Sequence, residues 1–100
     1  MIATFMALKR AKAVMTSPRI SSLSKVWGVS TSISLVADRV VVAFEQEGEP
    51  VAFLLSEPGI MPWLIVRVPD KYGSQRTILA TSSVQEATAA VLTLLETAKK

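Results

Sequence analysis

Residues 40–55, VVVAFEQEGEPVAFLL, decide the fold of this 100-residue chain. Two runs rich in β-branched and aromatic side chains, 40–44 and 51–55, flank a polar segment that contains Gly48 and Pro50. This pattern predicts two antiparallel strands joined by a tight turn. Both runs are apolar on both sides, whereas a strand with one side in water alternates apolar and polar residues. We therefore expect these two strands to be covered on both sides.

Further strands are predicted before and after this hairpin. Residues 27–35 alternate apolar with small polar side chains, 63–68 form an apolar run between two prolines, and 76–80 form a short final run. Strands that follow one another through short turns usually pair as neighbours in a sheet. The sequence therefore predicts an antiparallel meander of four to five strands.

Residues 19–37 also admit a second interpretation. The segment 23–30, LSKVWGVS, resembles the turn of a helix-turn-helix, and 34–40 resembles the recognition helix of winged-helix repressors. Ser34 stands where this motif requires an apolar residue, and Trp27 stands where it usually has a small one. We therefore favour a strand over a helix-turn-helix in this stretch.

A helix is predicted at each end of the meander. Residues 4–15 place small and apolar side chains on one side and basic side chains on the other, and Pro18 follows as a helix breaker. Residues 82–100 begin with capping-box patterns and continue with an apolar stripe at helical spacing. The predicted fold class is α+β, with an N-terminal helix, an antiparallel meander and a C-terminal amphipathic helix packed on the sheet.

The length of the chain corresponds to a single domain. No apolar run reaches the roughly 20 residues that a membrane-spanning helix needs. Bases follow rather than precede the apolar residues 2–8, which is the reverse of a secretory signal. We therefore expect a cytoplasmic protein without a membrane span, divided into three segments: a basic N-terminal helical segment (1–25), the β-meander (26–81) and the C-terminal helix (82–100).

The residue types that the chain lacks exclude most enzyme chemistry. It has no Cys for a thiolate nucleophile or an iron–sulfur cluster, and no His for an imidazole base or ligand. Glu45, Glu47 and Glu49 recur at every second position, but they lie at the tip of the predicted hairpin. Asp70, after a proline, is similar to the start of a magnesium-nuclease motif, whose later Glu-x-Lys is missing. We therefore predict a non-enzymatic protein without catalytic residues, cofactor or metal.

Positive charge is concentrated at the N-terminal end. Residues 1–37 contain five bases and no acid, whereas 38–100 contain six bases and eight acids. This asymmetry predicts contact with an anion, and we expect DNA or RNA; an anionic membrane surface and an acidic protein patch are the other candidates. A helix kept soluble by its lysines is the alternative. The candidate nucleic-acid-binding residues are Lys9, Arg10, Lys12, Arg19, Lys25, Arg67 and Arg76, and the candidate base-stacking residues are Trp27, Trp63 and Tyr72.

The C-terminal part resembles a DNA-binding family. Residues 63–95 are similar to the arm-binding domain of phage-type integrases, in which a three-stranded sheet reads DNA and a helix backs it. The resemblance implies that Arg67 and Arg76 correspond to basic residues of the DNA-reading sheet. In the alternative interpretation, Trp63 belongs to the core and both arginines occupy ordinary exposed strand positions.

The apolar content is high for so small a domain, with 50% hydrophobic residues and a mean hydropathy of +0.41. Because exposed apolar surface is commonly covered by symmetric association, we expect a homodimer formed through the sheet or the C-terminal helix, with Leu92 and Leu95 as interface residues. The first functional hypothesis is a small homodimer that binds nucleic acid through its basic N-terminal segment. The alternative is a protein-interaction or assembly module, such as an adaptor, a complex subunit, or a viral structural or inhibitory protein.

Overall fold

A computed structural model describes residues 2–59 and 61–99 and confirms the α+β class. Met1 and Lys100, the ends of the predicted N-terminal and C-terminal segments, lie outside the described residues. The elements follow one another as α1 (Ile2–Met15), α2 (Pro18–Trp27), β1 (Val29–Val36), β2 (Arg39–Gln46), β3 (Glu49–Ser56), β4 (Leu64–Pro69), β5 (Gln75–Thr81) and α3 (Val84–Lys99). In these ranges no helix is both long enough and apolar enough to cross a bilayer.

The predicted meander is a single five-stranded antiparallel sheet in the order β1-β2-β3-β4-β5. Its central hairpin pairs β2 with β3, so that Val42 lies opposite Leu54 and Phe44 lies opposite Ala52. The turn between them is Glu47-Gly48, and both residues have positive φ angles, of 55° and 80°. Two-residue turns of this kind match the right-handed twist of the strands they connect, which explains why a glycine follows the acidic residue here.

The stretch that admitted two interpretations contains both a helix and a strand. Gly28 ends α2 in the left-handed conformation with φ 64°, and its N–H donates to the carbonyl of Ser24. Val29 then begins β1. The helix-turn-helix interpretation is therefore wrong, because a strand stands where the recognition helix would begin. The predicted strand is correct from Val29 onward, although Trp27 still belongs to a second N-terminal helix.

Two helices pack on one side of the sheet. α1 contacts β2 and β3, whereas α3 contacts β3, β4 and β5, and the two helices also contact each other. The core lies between these layers and is formed by alternate strand residues and the inner sides of the helices: Val40, Val42, Phe44, Leu54, Leu64, Val66, Ala7, Ala11, Val14, Val91 and Leu95. Burial of each large apolar side chain stabilises the fold by about 1.5–3 kcal/mol.

The opposite side of the sheet carries no layer from the described part of the chain. Val41, Phe53 and Ile65 point to this side, since each alternates with core residues along its strand, and they are half-buried by their neighbours alone. The expectation that β2 and β3 are covered on both sides is thus met on one side only. We call this surface the uncovered sheet face.

The start of α3 follows the predicted capping pattern in part. Ser83 accepts a hydrogen bond from the backbone N–H of Glu86 at 3.1 Å, as an N-cap serine does. The Glu86 carboxylate does not return to Ser83 but accepts a hydrogen bond from the hydroxyl of Thr81, at the end of β5. This contact joins the first turn of α3 to the last strand of the sheet.

Candidate functional site

Four of the seven predicted nucleic-acid-binding residues are exposed on the two N-terminal helices, namely Lys9, Lys12, Arg19 and Lys25. On α1, Ala7, Ala11 and Val14 are fully buried and define the inner side of the helix. At 100° per residue, Lys9 points away from that side. Neither helix contains an acidic residue. The outer surface of α1 and α2, which we call the basic helical layer, is therefore a region of positive potential.

Arg10 does not share the outward orientation of its neighbours. Its guanidinium carbon lies 4.2 Å from the centre of the Trp63 ring, just before β4. One of its terminal nitrogens is buried and has no hydrogen-bond partner among the described residues. A cation over an indole face gains electrostatic attraction from the ring. The structure thus pairs a predicted phosphate-binding residue with a predicted stacking residue, which leaves the outer face of α1 to Lys9 and Lys12.

The two basic residues of the C-terminal sheet lie apart from the basic helical layer. Arg67 points to the uncovered sheet face, where its Nε donates to the hydroxyl of Thr77 at 3.1 Å. Arg76 is exposed on β5, opposite Val68 of β4. Since α1 packs on the other side of the sheet, Arg67 and Lys9 are separated by the sheet itself. The structure does not bring the seven predicted residues onto one surface.

The three predicted stacking residues have different surroundings. Trp27 packs against the core, and its backbone carbonyl accepts a hydrogen bond from the Gln46 side chain at 3.0 Å. Trp63 is half-buried beneath Arg10. Tyr72 is exposed in the loop between β4 and β5, with the Lys71 ammonium 5.3 Å from its ring centre. Among the three, Tyr72 is the residue whose ring is open to a base.

The predicted interface residues of α3 are corrected by the structure. Leu92 is 3% exposed and Leu95 is 1% exposed, so both belong to the core of the single chain. The side of α3 that was expected to meet a partner instead contacts α2, a helix that the sequence analysis did not separate from α1. These leucines therefore stabilise the fold of one chain and are not free to form an interface.

An apolar groove that the sequence analysis missed lies between α1 and β1. Its walls are Phe5 and Leu8 of α1 and Ile33 and Leu35 of β1, and its volume is about 570 Å³. Phe5 is 63% exposed and Leu35 is 64% exposed, which is unusual for side chains of this size. The alternation of residues 29–35 was a signal for this groove. It places the apolar side chains of β1 on the helix side of the sheet, whereas α1 lies over β2 and β3 rather than over β1.

β1 is also an edge of the sheet, with β2 as its one neighbour. Ser30, Ser32 and Ser34 point to the uncovered sheet face, and every residue of β1 beyond Val29 is exposed. Such an edge presents a row of unpaired backbone N–H and C=O groups. The groove and this backbone row are adjacent, since β1 contributes to both.

The uncovered sheet face has a regular composition. One row across the strands reads Ser34, Val41, Leu55, Ile65 and Ala80, and the next reads Ser32, Ala43, Phe53, Arg67 and Thr77. Glu45 points to the same side from β2, while Arg67 does so from β4. The centre of this face is therefore apolar, and the charged residues of its strands are Arg39 and Glu45 on β2 and Arg67 on β4.

No group of three or more acidic side chains within 2–59 and 61–99 is placed to hold a metal ion. The chain matches no protein-family model, and no curated protein or solved structure matches it. The surfaces described above are therefore the basis on which a function is argued.

Proposed function

We propose that this protein binds nucleic acid through the basic helical layer, without base specificity. The observation that carries the proposal is the exposure of Lys9, Lys12, Arg19 and Lys25 on two contacting helices that contain no acid. In the described part of the chain the one ion pair joins Arg39 to Glu57, at 3.1 Å. The four bases are thus available to neutralise phosphates.

The expected binding is electrostatic and depends strongly on salt. Four phosphate contacts predict a slope of about −3.6 for log K against log salt on duplex DNA and about −2.8 on single strands. Between 50 and 200 mM salt the affinity is then expected to fall roughly 50- to 150-fold. Phosphate contacts position a protein but read no sequence, so similar affinities are expected for unrelated sequences.

Fluorescence polarisation with labelled 20-nucleotide single strands and duplexes tests this proposal. We expect the double variant Lys9→Gln/Lys12→Gln to bind at least about tenfold more weakly and to lower the salt slope by roughly two. The matched control is Lys71→Gln/Arg76→Gln, which removes the same charge from β5 and the loop before it. The proposal is contradicted if no binding occurs at low salt, or if the control loses as much affinity as the helix variant.

Assembly through the uncovered sheet face is a second candidate function. The half-buried apolar side chains of Val41, Phe53 and Ile65 favour it, and the occupant would be a second copy of this chain. A two-fold axis along β3 would place Glu45 of each copy over β4 of the other, close to Arg67. In that case Val41→Lys, on this face, would dissociate the dimer, whereas the Lys9/Lys12 variant would leave it intact.

A further inference from the structure

We propose that two copies of this chain associate through their β1 strands, so that two five-stranded sheets join into one antiparallel sheet of ten strands. β1 pairs with β2 alone, and along eight residues its outer side presents unpaired backbone groups. The proposal concerns a surface that nucleic-acid binding does not use, and it holds whether or not that binding occurs.

β1 lacks the features by which proteins protect an exposed strand. Its sequence, VSTSISLV, contains no charge and no proline, and its pairing with β2 runs without a bulge from Val29 to Val36. Natural edge strands usually carry a lysine, a proline or a bulge that prevents pairing with another chain. The opposite edge, β5, has a charged residue at Arg76 and an irregular pairing at Ile78. The two edges of this sheet are therefore unequal.

The groove beside β1 is a second observation that points to an occupant. Ile33 and Leu35 face the groove from β1, and Phe5 faces it from α1. A two-fold axis perpendicular to the sheet places the helices of both copies on the same side of the joined sheet. The grooves then meet at the axis, so Phe5, Ile33 and Leu35 of one copy approach the same side chains of the other.

A second copy fits this surface because β1 is complementary to itself. Residues directly opposite each other in an antiparallel pair point to the same side of the sheet. With the axis at Ser32, serine lies opposite serine on one side, while Thr31 lies opposite Ile33 and Val29 lies opposite Leu35 on the other. A foreign strand would need the same alternation and an apolar helix above it, and this chain supplies both.

The available area is sufficient for a specific dimer of modest affinity. An eight-residue strand is about 27 Å long, and the shortest extent of the molecule is 20 Å. Contact along this edge covers roughly 500 Å² per copy, or about 1,000 Å² in total, which is near the lower limit for specific interfaces. Because buried area does not determine affinity, the dimer is tested over a wide range of protein concentration.

Such a dimer would extend the proposed nucleic-acid surface, a consequence that rests on the proposed function. A two-fold axis perpendicular to the sheet leaves the helices of both copies on the same side of it. Since α1 and α2 belong to this helical side, both basic helical layers would lie on one side of the ten-stranded sheet. The two activities respond differently to salt, since phosphate binding weakens steeply whereas apolar contact and backbone pairing do not. Failure of one is therefore distinguishable from failure of the other.

Sedimentation equilibrium of the full chain tests the dimer at protein concentrations between about 1 µM and 1 mM, in about 0.5 M salt. The decisive pair of variants is Ile33→Lys and Ile78→Lys, because these isoleucines lie on the two edge strands and are 39% and 41% exposed. We expect Ile33→Lys to raise the dissociation constant at least about 100-fold, since it places like charges against each other at the axis. Ile78→Lys is expected to leave it within about twofold.

Leu35→Lys provides a second variant should Ile33→Lys fail to fold, because its side chain already lies mostly in solvent. Circular dichroism verifies that each variant retains the wild-type spectrum. A wild-type chain that stays monomeric up to 1 mM overturns the proposal. So does a dimer that Ile78→Lys dissociates and the β1 variants do not, which would assign the interface to the β5 edge.

Discussion

The two edge strands of the sheet, β1 and β5, differ in the features that prevent pairing with another chain. β5 contacts α3, is joined to that helix by the Thr81–Glu86 hydrogen bond, and has an extra residue, Ile78, in its pairing with β4. β1 is regular and uncharged, and its large apolar side chains lie partly in solvent. The regular, uncharged edge at β1 is therefore the one available for pairing with another chain.

The hairpins that lead to these edges differ as well. The loop before β5 is held by Asp70, whose carboxylate accepts the backbone N–H groups of Tyr72 and Ser74, each at 2.9 Å. The turn after β1 is Ala37-Asp38, and both residues have positive φ angles, of 51° and 65°. Alanine in this region is strained, because its Cβ approaches the backbone. The β1 end of the sheet is thus the less stabilised one, which is consistent with an edge that is completed by association.

The largest expected effect contrasts a covered leucine with an uncovered one. We expect Leu92→Ala to lower the free energy of unfolding by about 2–5 kcal/mol, because it leaves a cavity beneath α2 and α3. Leu35→Ala on β1 removes an exposed side chain and is expected to cost under about 0.5 kcal/mol in the monomer. Urea denaturation at a concentration below the dimer range measures both values. Equal losses would show that β1 is as well covered as α3.

A smaller change in unfolding free energy is expected at the loop between β4 and β5. Asp70→Ala removes the acceptor of two backbone N–H groups, and we expect a loss of about 1–2 kcal/mol in unfolding free energy. Asp70→Asn keeps an acceptor oxygen in the same place and is expected to recover most of this loss. Thermal melts followed by circular dichroism compare the three proteins. An Asn variant as unstable as the Ala variant would argue that charge, not the loop hydrogen bonds, is responsible.

The smallest effect is expected at the turn between β1 and β2, where the substitutions increase the unfolding free energy instead of lowering it. Ala37→Asn combined with Asp38→Gly introduces the residues that this two-residue turn prefers. We expect the double variant to gain about 0.5–1 kcal/mol in unfolding free energy, because asparagine and glycine adopt the two positive φ angles of this turn with less strain. The same thermal melts measure it. No gain, or a loss, would mean that the strain at this turn is negligible.

The sequence predicted the elements whose pattern is local. The hairpin around Gly48 and the apolar stripe of α3 are confirmed, because alternation and helical spacing act within a few residues. The boundary at Gly28 was not resolved, since apolar residues near Trp27 fit a helix and a strand alike. The outcome there is decided by the left-handed cap at Gly28, a single residue in the chain.

The placement of the candidate site was less predictable than the fold. Charge alone grouped Arg10 and Arg67 with the exposed lysines, whereas the structure turns Arg10 onto Trp63 and places Arg67 on the opposite side of the sheet. The weakly polar side of α3 suggested an interface at Leu92, but α2 occupies that position. Both errors arise from long-range packing, which periodicity does not encode. The exposed positions of β1 were visible as an alternating strand, yet not as an edge.

A distance between two β1 strands tests the central claim most directly. The chain has no cysteine, so a single Ser32→Cys substitution on the exposed side of β1 accepts one spin label per copy. Pulsed electron paramagnetic resonance of the labelled dimer is expected to give a narrow distance below about 20 Å, since paired strands lie roughly 5 Å apart. The same label at Thr77→Cys on β5 is expected to give a distance well above about 30 Å, because the two β5 strands would lie at opposite ends of a ten-stranded sheet. A short distance at position 77, or no short distance at position 32, would contradict the account.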